Sequence, residues 1–381
     1  MFLSKTEHIV NASQVSSAAS AARVLDGRIG DHIALGHCDE EAFERLALDL
    51  FDYQFAANPA YRLYCERLGR TPAQIRRWQD VPAIPASAFA HVRLACFPPD
   101  QARVTFVSSG TTHAGRSRHE LENTTLYDVS LLAHFRERVM PDVTRMQMAV
   151  LSPSFTAAPH SSLAYMLSKI SEIFGTEEDG FFVADDALNF GAASAALRAA
   201  LAPVLVAGTA FGFVHFFDRC RDASVRFILP PGSRVVETGG FKGKSREIAR
   251  DELYGWFDEL LGVPRALCAS EYGMCELGSQ WYDTSIGDHL VARAHRSGVK
   301  AGPHWARTIV VDPVTACPVP SGAPGLLQVF DLSNRGSVAA VLTGDLVREV
   351  DGGFELIGRG PGELPKGCSI ALDAALSHHG D

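Results

Sequence analysis

The chain has 381 residues, 46% of them hydrophobic, and a formal charge of −9, enough apolar material for one large core or two smaller ones. The acidic balance excludes a nucleic-acid partner, because backbone phosphates need clustered Lys and Arg and basic runs such as Arg76-Arg77 are short. Eight cysteines with no C-x-x-C pair argue against a disulfide framework or zinc ribbon, no stretch approaches 18 consecutive apolar residues, and Met1-Phe2-Leu3-Ser4-Lys5 runs into polar sequence rather than a signal peptide. A cytoplasmic protein with reduced thiols is expected.

Residues 1–35 carry little periodic signal and read as a loosely packed arm. From Asp39 or Glu40 an amphipathic helix is predicted, with Phe43, Leu46, Leu50 and Phe51 at helical spacing. Thr71-Pro72 reads as an N-cap followed by proline at the first helical position. Residues 1–100 are thus expected to form an N-terminal helical cover. Val104-Thr105-Phe106-Val107 reads as a strand and 121–138 as a helix. Apolar, β-rich segments at 147–151, 181–184, 203–206, 225–229 and 265–269 then alternate with helical patterns at 163–174, 191–201 and 246–261, which predicts α/β layers over 101–306. Past Arg307 short strands are expected at 307–311, 325–330 and 338–342. A hairpin of 346–350 and 354–357 follows across Asp351-Gly352-Gly353, so 307–381 reads as a β-rich subdomain with a short tail.

Between the strand at 104–107 and the helix lies Ser108-Ser109-Gly110-Thr111-Thr112, followed by Gly115 and Arg116. Backbone N–H groups freed by glycine, together with short hydroxyls, can converge on phosphate oxygens, and a strand, loop, helix context would suit that role. The run matches neither the Walker pattern nor the spaced glycines of a dinucleotide fold, and an ordinary Ser/Thr/Gly turn is the competing reading. Tyr272-Gly273-Met274-Cys275-Glu276, Thr343-Gly344-Asp345 and Gly358-Arg359 follow in order. They offer an aromatic ring for adenine, a carboxylate for Mg²⁺, an aspartate for ribose hydroxyls and a guanidinium for phosphate. Singly these residues read as packing, solvated or turn positions; together they favour a nucleotide site. His37, His113, His160 and His215 show no metal-ligand spacing.

The chain resembles the adenylate-forming acyl and aryl ligase superfamily, most closely its LuxE-type acyl-protein synthetase branch. The resemblance is carried by Ile84-Pro85-Ala86-Ser87-Ala88-Phe89, the 108–112 loop, 160–166, 237–244, the segment after Tyr272, Thr343-Gly344-Asp345, Gly358-Arg359 and Lys366-Gly367-Cys368-Ser369. It implies an α/β, layered, adenylate-forming large domain with a small β-rich C-terminal subdomain and no full C-terminal lid domain. It implies that Ser108, Ser109, Gly110, Thr111 and Thr112 contact ATP phosphates and that Gly239 and Gly240 border the adenine pocket. Tyr272, with Gly273 and Met274, would lie on adenine, Glu276 on Mg²⁺, Asp345 on ribose and Arg359 at the nucleotide near a hinge. Phe211, His215 and His160 are candidate acyl-pocket residues, although Phe211-Gly212-Phe213 and His215-Phe216-Phe217 read equally as core.

Two departures matter. Cys275 stands where the superfamily usually has threonine, removing a hydroxyl from the phosphate site. Only 22 residues follow Arg359, where superfamily members carry roughly a hundred more as a mobile lid. The usual lid lysine therefore has no obvious counterpart, and Lys242, Lys244 and Lys366 are the substitutes in sequence. The implied activity is two-step: ATP activates a carboxylic acid, of fatty type, as acyl-AMP, and Cys368 then accepts the acyl group as a thioester for delivery to a partner such as an acyl reductase. Lys366 beside it would favour the thiolate. Two rivals are a ligase delivering to coenzyme A, a carrier protein or an amine, and a non-catalytic nucleotide- or partner-binding subunit.

Overall fold

The computed structural model describes residues 12–109, 115–185, 187–239, 248–293 and 298–360, with side chains from Ser20 onward. The chain opens with helices α1 (Ala12–Ala34), α2 (Glu40–Ala57) and α3 (Pro59–Arg67). Asp39 caps α2 by accepting from the Ala42 N–H at 2.9 Å, and the four residues picked out by helical spacing are all buried. α1 replaces the expected loose arm. Leu25, Ile29 and Ile33 are buried on successive turns, and buried Arg335 grips Asp26 through two hydrogen bonds of 2.6 and 2.7 Å. At Thr71 no helix starts: residues 72–74 form a turn, because Gln74 Oε1 accepts from both the backbone N–H and the hydroxyl of Thr71, at 2.9 and 3.1 Å.

Strand β1 (Ile84–Pro85) precedes an antiparallel hairpin of β2 (Val104–Val107) and β3 (Arg118–Leu121), with Val107 opposite Arg118. The predicted helix at 121–138 is observed as α4 (Thr125–Val139). The hydroxyl-rich loop therefore joins two strands instead of leading into a helix, which corrects the strand, loop, helix expectation. Period 2 explains it: His119 and Leu121 point inward while Arg118 and Glu120 face outward.

Alternation then builds the parallel half: β4 (Gln147–Leu151), α5 (Ser162–Phe174), β5 (Gly180–Phe181), the ribbon of β6 (Val183–Ala184) and β7 (Ala187–Leu188), α6 (Phe190–Ala199), β8 (Val204–Thr209), α7 (Ala210–Asp222), β9 (Arg234–Thr238), α8 (Arg250–Leu261) and β10 (Cys268–Tyr272). The antiparallel half follows as β11 (Trp281–Asp283), helix α9 (Ser285–Leu290), β12 (Val299–Ala301), β13 (Ala306–Val311), β14 (Pro324–Asp331), β15 (Ala340–Val350) and β16 (Gly353–Arg359). All but the β2–β3 and β6–β7 pairs belong to one sheet, in the order β13-β14-β15-β16-β12-β11-β10-β9-β8-β4-β5 with β1 beside β15. Pairing is parallel from β5 to β10 and antiparallel from β10 to β13.

The segment 225–229 is not a strand; Phe227 and Leu229 donate their N–H groups to Leu260 and Leu261 carbonyls at the end of α8, at 2.8 and 3.0 Å. The strand in this region is β9, whose charged ends hid it from a hydrophobicity reading. Arg234 is buried there and reaches Asp142 across the sheet end. The two strands expected at 338–342 and 346–350 are one, β15.

The Arg335–Asp26 pair is one of the ties that dock α1, beside His304 Nε2 on His32 O at 2.8 Å and Arg28 on Asp49 at 2.7 Å. Asp26→Ala should cost about 2 kcal/mol, since it removes two charge-assisted hydrogen bonds from a buried guanidinium that keeps Glu122 at 3.3 Å, and an unchanged melting temperature would contradict this.

Candidate active site

In the parallel half the carboxyl ends of β4, β8, β9 and β10 share one edge of the sheet, the usual place for ligands in α/β folds. The loops leaving that edge carry the sequence motifs. After β4, residues 152–161 lead to His160, and after β8, Thr209 caps α7, on whose first turns Phe211 and His215 lie with ring centroids 4.5 Å apart. β9 is followed by Gly239, whose φ of +71° is the left-handed turn glycine tolerates. β10 ends at Tyr272 and passes into Gly273, where a Cβ would lie 2.4 Å from Glu271 Oε1.

Tyr272 donates its hydroxyl to Asp345 Oδ2 at 2.9 Å, and Arg359 Nη1 meets Asp345 Oδ1 at 3.1 Å. Between β10 and β15 lie β11, β12 and β16, so in a flat sheet the two residues would stand four steps of about 4.8 Å apart, roughly 19 Å. No tyrosine–aspartate pair spans that, so the sheet curls until its antiparallel half overhangs the end of β10. A bulge helps: between β14 and β15 the register jumps from Leu326↔Leu346 to Gln328↔Leu342, which leaves Thr343-Gly344-Asp345 unpaired there and re-aims Asp345. Tyr272 packs edge-on against Phe354 and Trp281, at 5.4 and 6.2 Å. Burial, and next the Asp345 charge, push its hydroxyl well above the ordinary tyrosine range. Arg359 is largely exposed, at 75% of its side chain, so its bond to Asp345 is weak and exchangeable.

Met274 Sδ lies 3.6 Å from the Tyr272 hydroxyl, and Glu276 is buried. Buried Asp331 accepts from the Gly278 N–H at 2.9 Å and from the Ser279 hydroxyl at 2.8 Å, pinning the far end of the loop. Ser108 and Ser117 close the mouth of the β2–β3 loop: the Ser108 N–H donates to Ser117 O and the Ser117 N–H to Ser108 Oγ, each at 3.0 Å. Three described bonds tie this hairpin to the edge, one of them from His160 Nδ1 to Thr105 O at 3.1 Å. The Val107 N–H donates to His160 O at 2.8 Å, and His119 Nδ1 donates to Cys275 O at 2.7 Å.

The structure thus links Ser108, His160, Tyr272, Met274, Glu276, Asp345 and Arg359 through bonded neighbours. Ser109 adjoins the hairpin mouth, and Gly239 follows Thr238, which pairs with Glu271 beside Tyr272. Phe211 and His215 sit on the same edge one strand beyond β9, with no bond joining them to Tyr272 among the described contacts. Phe213, Phe216 and Phe217 are core. Gly110, Thr111, Thr112, Gly240, Lys242, Lys244, Lys366 and Cys368 lie outside the described residues. Of the described lysines, Lys300 is committed to Asp283 at 2.9 Å and Lys169 to Glu172 at 2.8 Å. His119, Asn334 and Asp331 are structural partners of the site that sequence reading missed; a lone histidine or a polar loop carries no signal of its contacts.

A family model described as acyl-protein synthetase, LuxE, matches residues 7–377. The chain belongs to the LuxE acyl-protein synthetase family. This LuxE-family chain is 23% identical over 355 residues to the long-chain-fatty-acid–luciferin-component ligase of Vibrio harveyi, with 88% of this chain and 89% of the relative covered. Its fold is similar to that of 2-hydroxyisobutyryl-CoA ligase in an open conformation with 2-HIB-AMP and CoA, at TM-score 0.61 and 15% identity, covering 83% of this chain and 69% of that one. The same ligase in its postadenylation state with R3-HIB-AMP gives TM-score 0.60 at 15% identity, over 85% and 69%. The resemblance read from the motifs and the layered α/β class are both borne out. As a member of that family the chain is an acyl-protein synthetase.

The meeting of Tyr272 and Asp345 is open to direct measurement. A denaturation double-mutant cycle of Tyr272→Phe and Asp345→Ala should give a coupling of about 1.5 kcal/mol, the range for a buried hydrogen bond to a charge; a coupling near zero would show the residues apart.

Proposed function

We propose that this chain activates a long-chain fatty acid with Mg·ATP and passes the acyl group through Cys368 to a partner acyl reductase in the cytoplasm. The observation that carries the reading is the junction of Tyr272 with Asp345 at one end of the Gly273–Gln280 loop that holds buried Glu276. The acid's name comes from the Vibrio harveyi relative. Among the described residues no helix is long and apolar enough to cross a membrane.

In this reading ATP lies along the carboxyl edge. The adenine rests at Tyr272 and Gly239, the ribose hydroxyls donate to Asp345, and the phosphates run to the 108–112 loop. Asp345 fits its part, because a carboxylate has about four acceptor positions and uses one on Tyr272 and one on the exchangeable Arg359. Mg²⁺ fits too. The buried Glu276 carboxylate would supply one hard oxygen ligand to an ion otherwise held by substrate phosphates. When bound, it offsets phosphate charge.

A carboxylate oxygen of the fatty acid attacks the α-phosphorus, the α–β phosphoanhydride bond breaks, and its electron pair leaves with pyrophosphate. The protein's share is alignment and charge neutralisation. The Cys368 thiolate then attacks the acyl carbon, the carbon–oxygen bond to AMP breaks, and a thioester results. Cys65, Cys96, Cys220, Cys268 and Cys275 are buried. Burial pushes the first three thiols up to about 12 and raises Cys268 as well, so they are poor nucleophiles. Of the exposed thiols, Cys38 is also pushed up, by desolvation and then by Glu40, which leaves Cys317 as the control for Cys368. The lysine that would replace a lid lysine falls to Lys242, Lys244 or Lys366. Phe211, His215 and His160 lie on the same edge and are assigned to the acyl passage.

Incubation with ATP and labelled fatty acids tests this. Wild type should exchange pyrophosphate into ATP in an acid-dependent way and retain hydroxylamine-labile label; Cys368→Ser should keep the exchange and lose the label, while Cys317→Ser keeps both. Label surviving in Cys368→Ser would assign the acceptor elsewhere, and no exchange with any acid would remove the ligase mechanism.

A further inference from the structure

Residues 273–280 leave the sheet and so lose ladder partners for their backbone groups, yet Cys275 and Glu276 have both carbonyls occupied by side chains from two distant elements. His119 Nδ1 lies 2.7 Å from Cys275 O, and since a carbonyl only accepts, that nitrogen carries the proton. Asn334 Nδ2 donates to Glu276 O at 2.9 Å and to Val338 O at 2.8 Å. His119 stands on β3, opposite Phe106 and two positions along the hairpin from Ser117. Asn334 stands in the β14–β15 connection, which Gln54 of α2 anchors by donating to Asn334 O at 2.9 Å.

We propose that His119 and Asn334 are positioning residues: they hold the Cys275-Glu276 backbone, and with it the Glu276 carboxylate, at a fixed place relative to the mouth of the β2–β3 loop at Ser108 and Ser117. This rests on the reading above, in which Glu276 and that loop share one Mg·ATP. Were Mg²⁺ held by Glu276 and the substrate phosphates, the Glu276 loop and the hairpin would have to keep a set separation, which a loop free to drift would not supply. His119 links the hairpin directly to the backbone beside Glu276.

The arrangement is costly as packing alone. His119 Nε2 and Asn334 Oδ1 are buried without a donor among the described residues, and both residues line one narrow cavity. Burial pulls His119 down to about 4, against the Cys275 and Asn334 hydrogen bonds that pull it up, and in the neutral ring Nε2 and Asn334 Oδ1 are both acceptors. Apolar side chains here would avoid two buried orphan acceptors, but could not hold the two carbonyls.

The test is acid-dependent pyrophosphate exchange by the full chain, followed against free Mg²⁺. His119→Leu keeps apolar bulk and loses the donor, whereas His119→Asn keeps an N–H near the place of Nδ1. The Leu variant should need roughly tenfold more Mg²⁺ for half-maximal rate, as when partners of metal ligands are lost, with the rate at saturating Mg²⁺ little changed. His119→Asn should restore most of the loss. Asn334→Asp, which removes the donor to Glu276 O, should shift the Mg²⁺ dependence in the same direction and serves if the Leu variant does not fold. A Mg²⁺ curve that superimposes on wild type for both His119→Leu and Asn334→Asp, with only melting temperature lowered, overturns the proposal. Glu276→Gln separates the two levels: if it leaves the Mg²⁺ curve in place, the assignment of Glu276 itself has failed.

Discussion

The hydrogen bond from Tyr272 to Asp345 is the constraint on which the candidate site depends. It joins the last residue of the parallel half to a bulge in the antiparallel half, and it exists only because the sheet curls by the intervening strands. A flat sheet would place the same side chains too far apart to act on one ligand. Curl, bulge and hydrogen bond are therefore one feature seen at three scales. The right-handed twist that every sheet carries supplies the direction, and burial of Tyr272 against Phe354 and Trp281 fixes where the curl stops.

Around that junction the polar groups are assigned with little to spare. Asp331 serves Gly278, Ser279 and Ser333, while His119 and Asn334 serve the carbonyls between. Burial raises the Asp331 carboxyl even though its hydrogen bonds pull the other way, the expected tension for a charge used as an anchor in a low-dielectric place. The loop carrying Glu276 is thus held by side chains rather than by strand pairing, which leaves its backbone free to follow a ligand-shaped path. Arg359 is the opposite case: exposed and weakly held, it is suited to exchange partners.

Much of this was legible in the sequence because the motifs are short and local. α2, α5 and α8 announce themselves by helical spacing, and Tyr272, Glu276 and Asp345 by residue type in a recognisable order. What was not legible has physical causes. α1 dilutes its apolar stripe with Ala, Ser and Gly, so its docking depends in part on Arg335, more than 300 positions away. Strand β3 reads as polar because one inward residue is His119, and β9 because it carries Arg234 and Glu237 on a central strand. The bulge at Thr343-Gly344-Asp345 cannot be read from β15 alone, since register is a property of two strands. The role of His119 is invisible for the same reason, as its partner is the backbone of Cys275.

In the proposed reading the ends of β9 and β10, the hairpin mouth and the β15 bulge face one nucleotide. Hydrogen–deuterium exchange with and without Mg·ATP tests it most directly. Protection confined to Ser108–Ser109, Gly239, Gly273–Glu276 and Thr343–Asp345, with the opposite sheet edge at Ser233–Arg234 unchanged, is the predicted pattern. Protection at that opposite edge, or at one of these segments without the others, would contradict it.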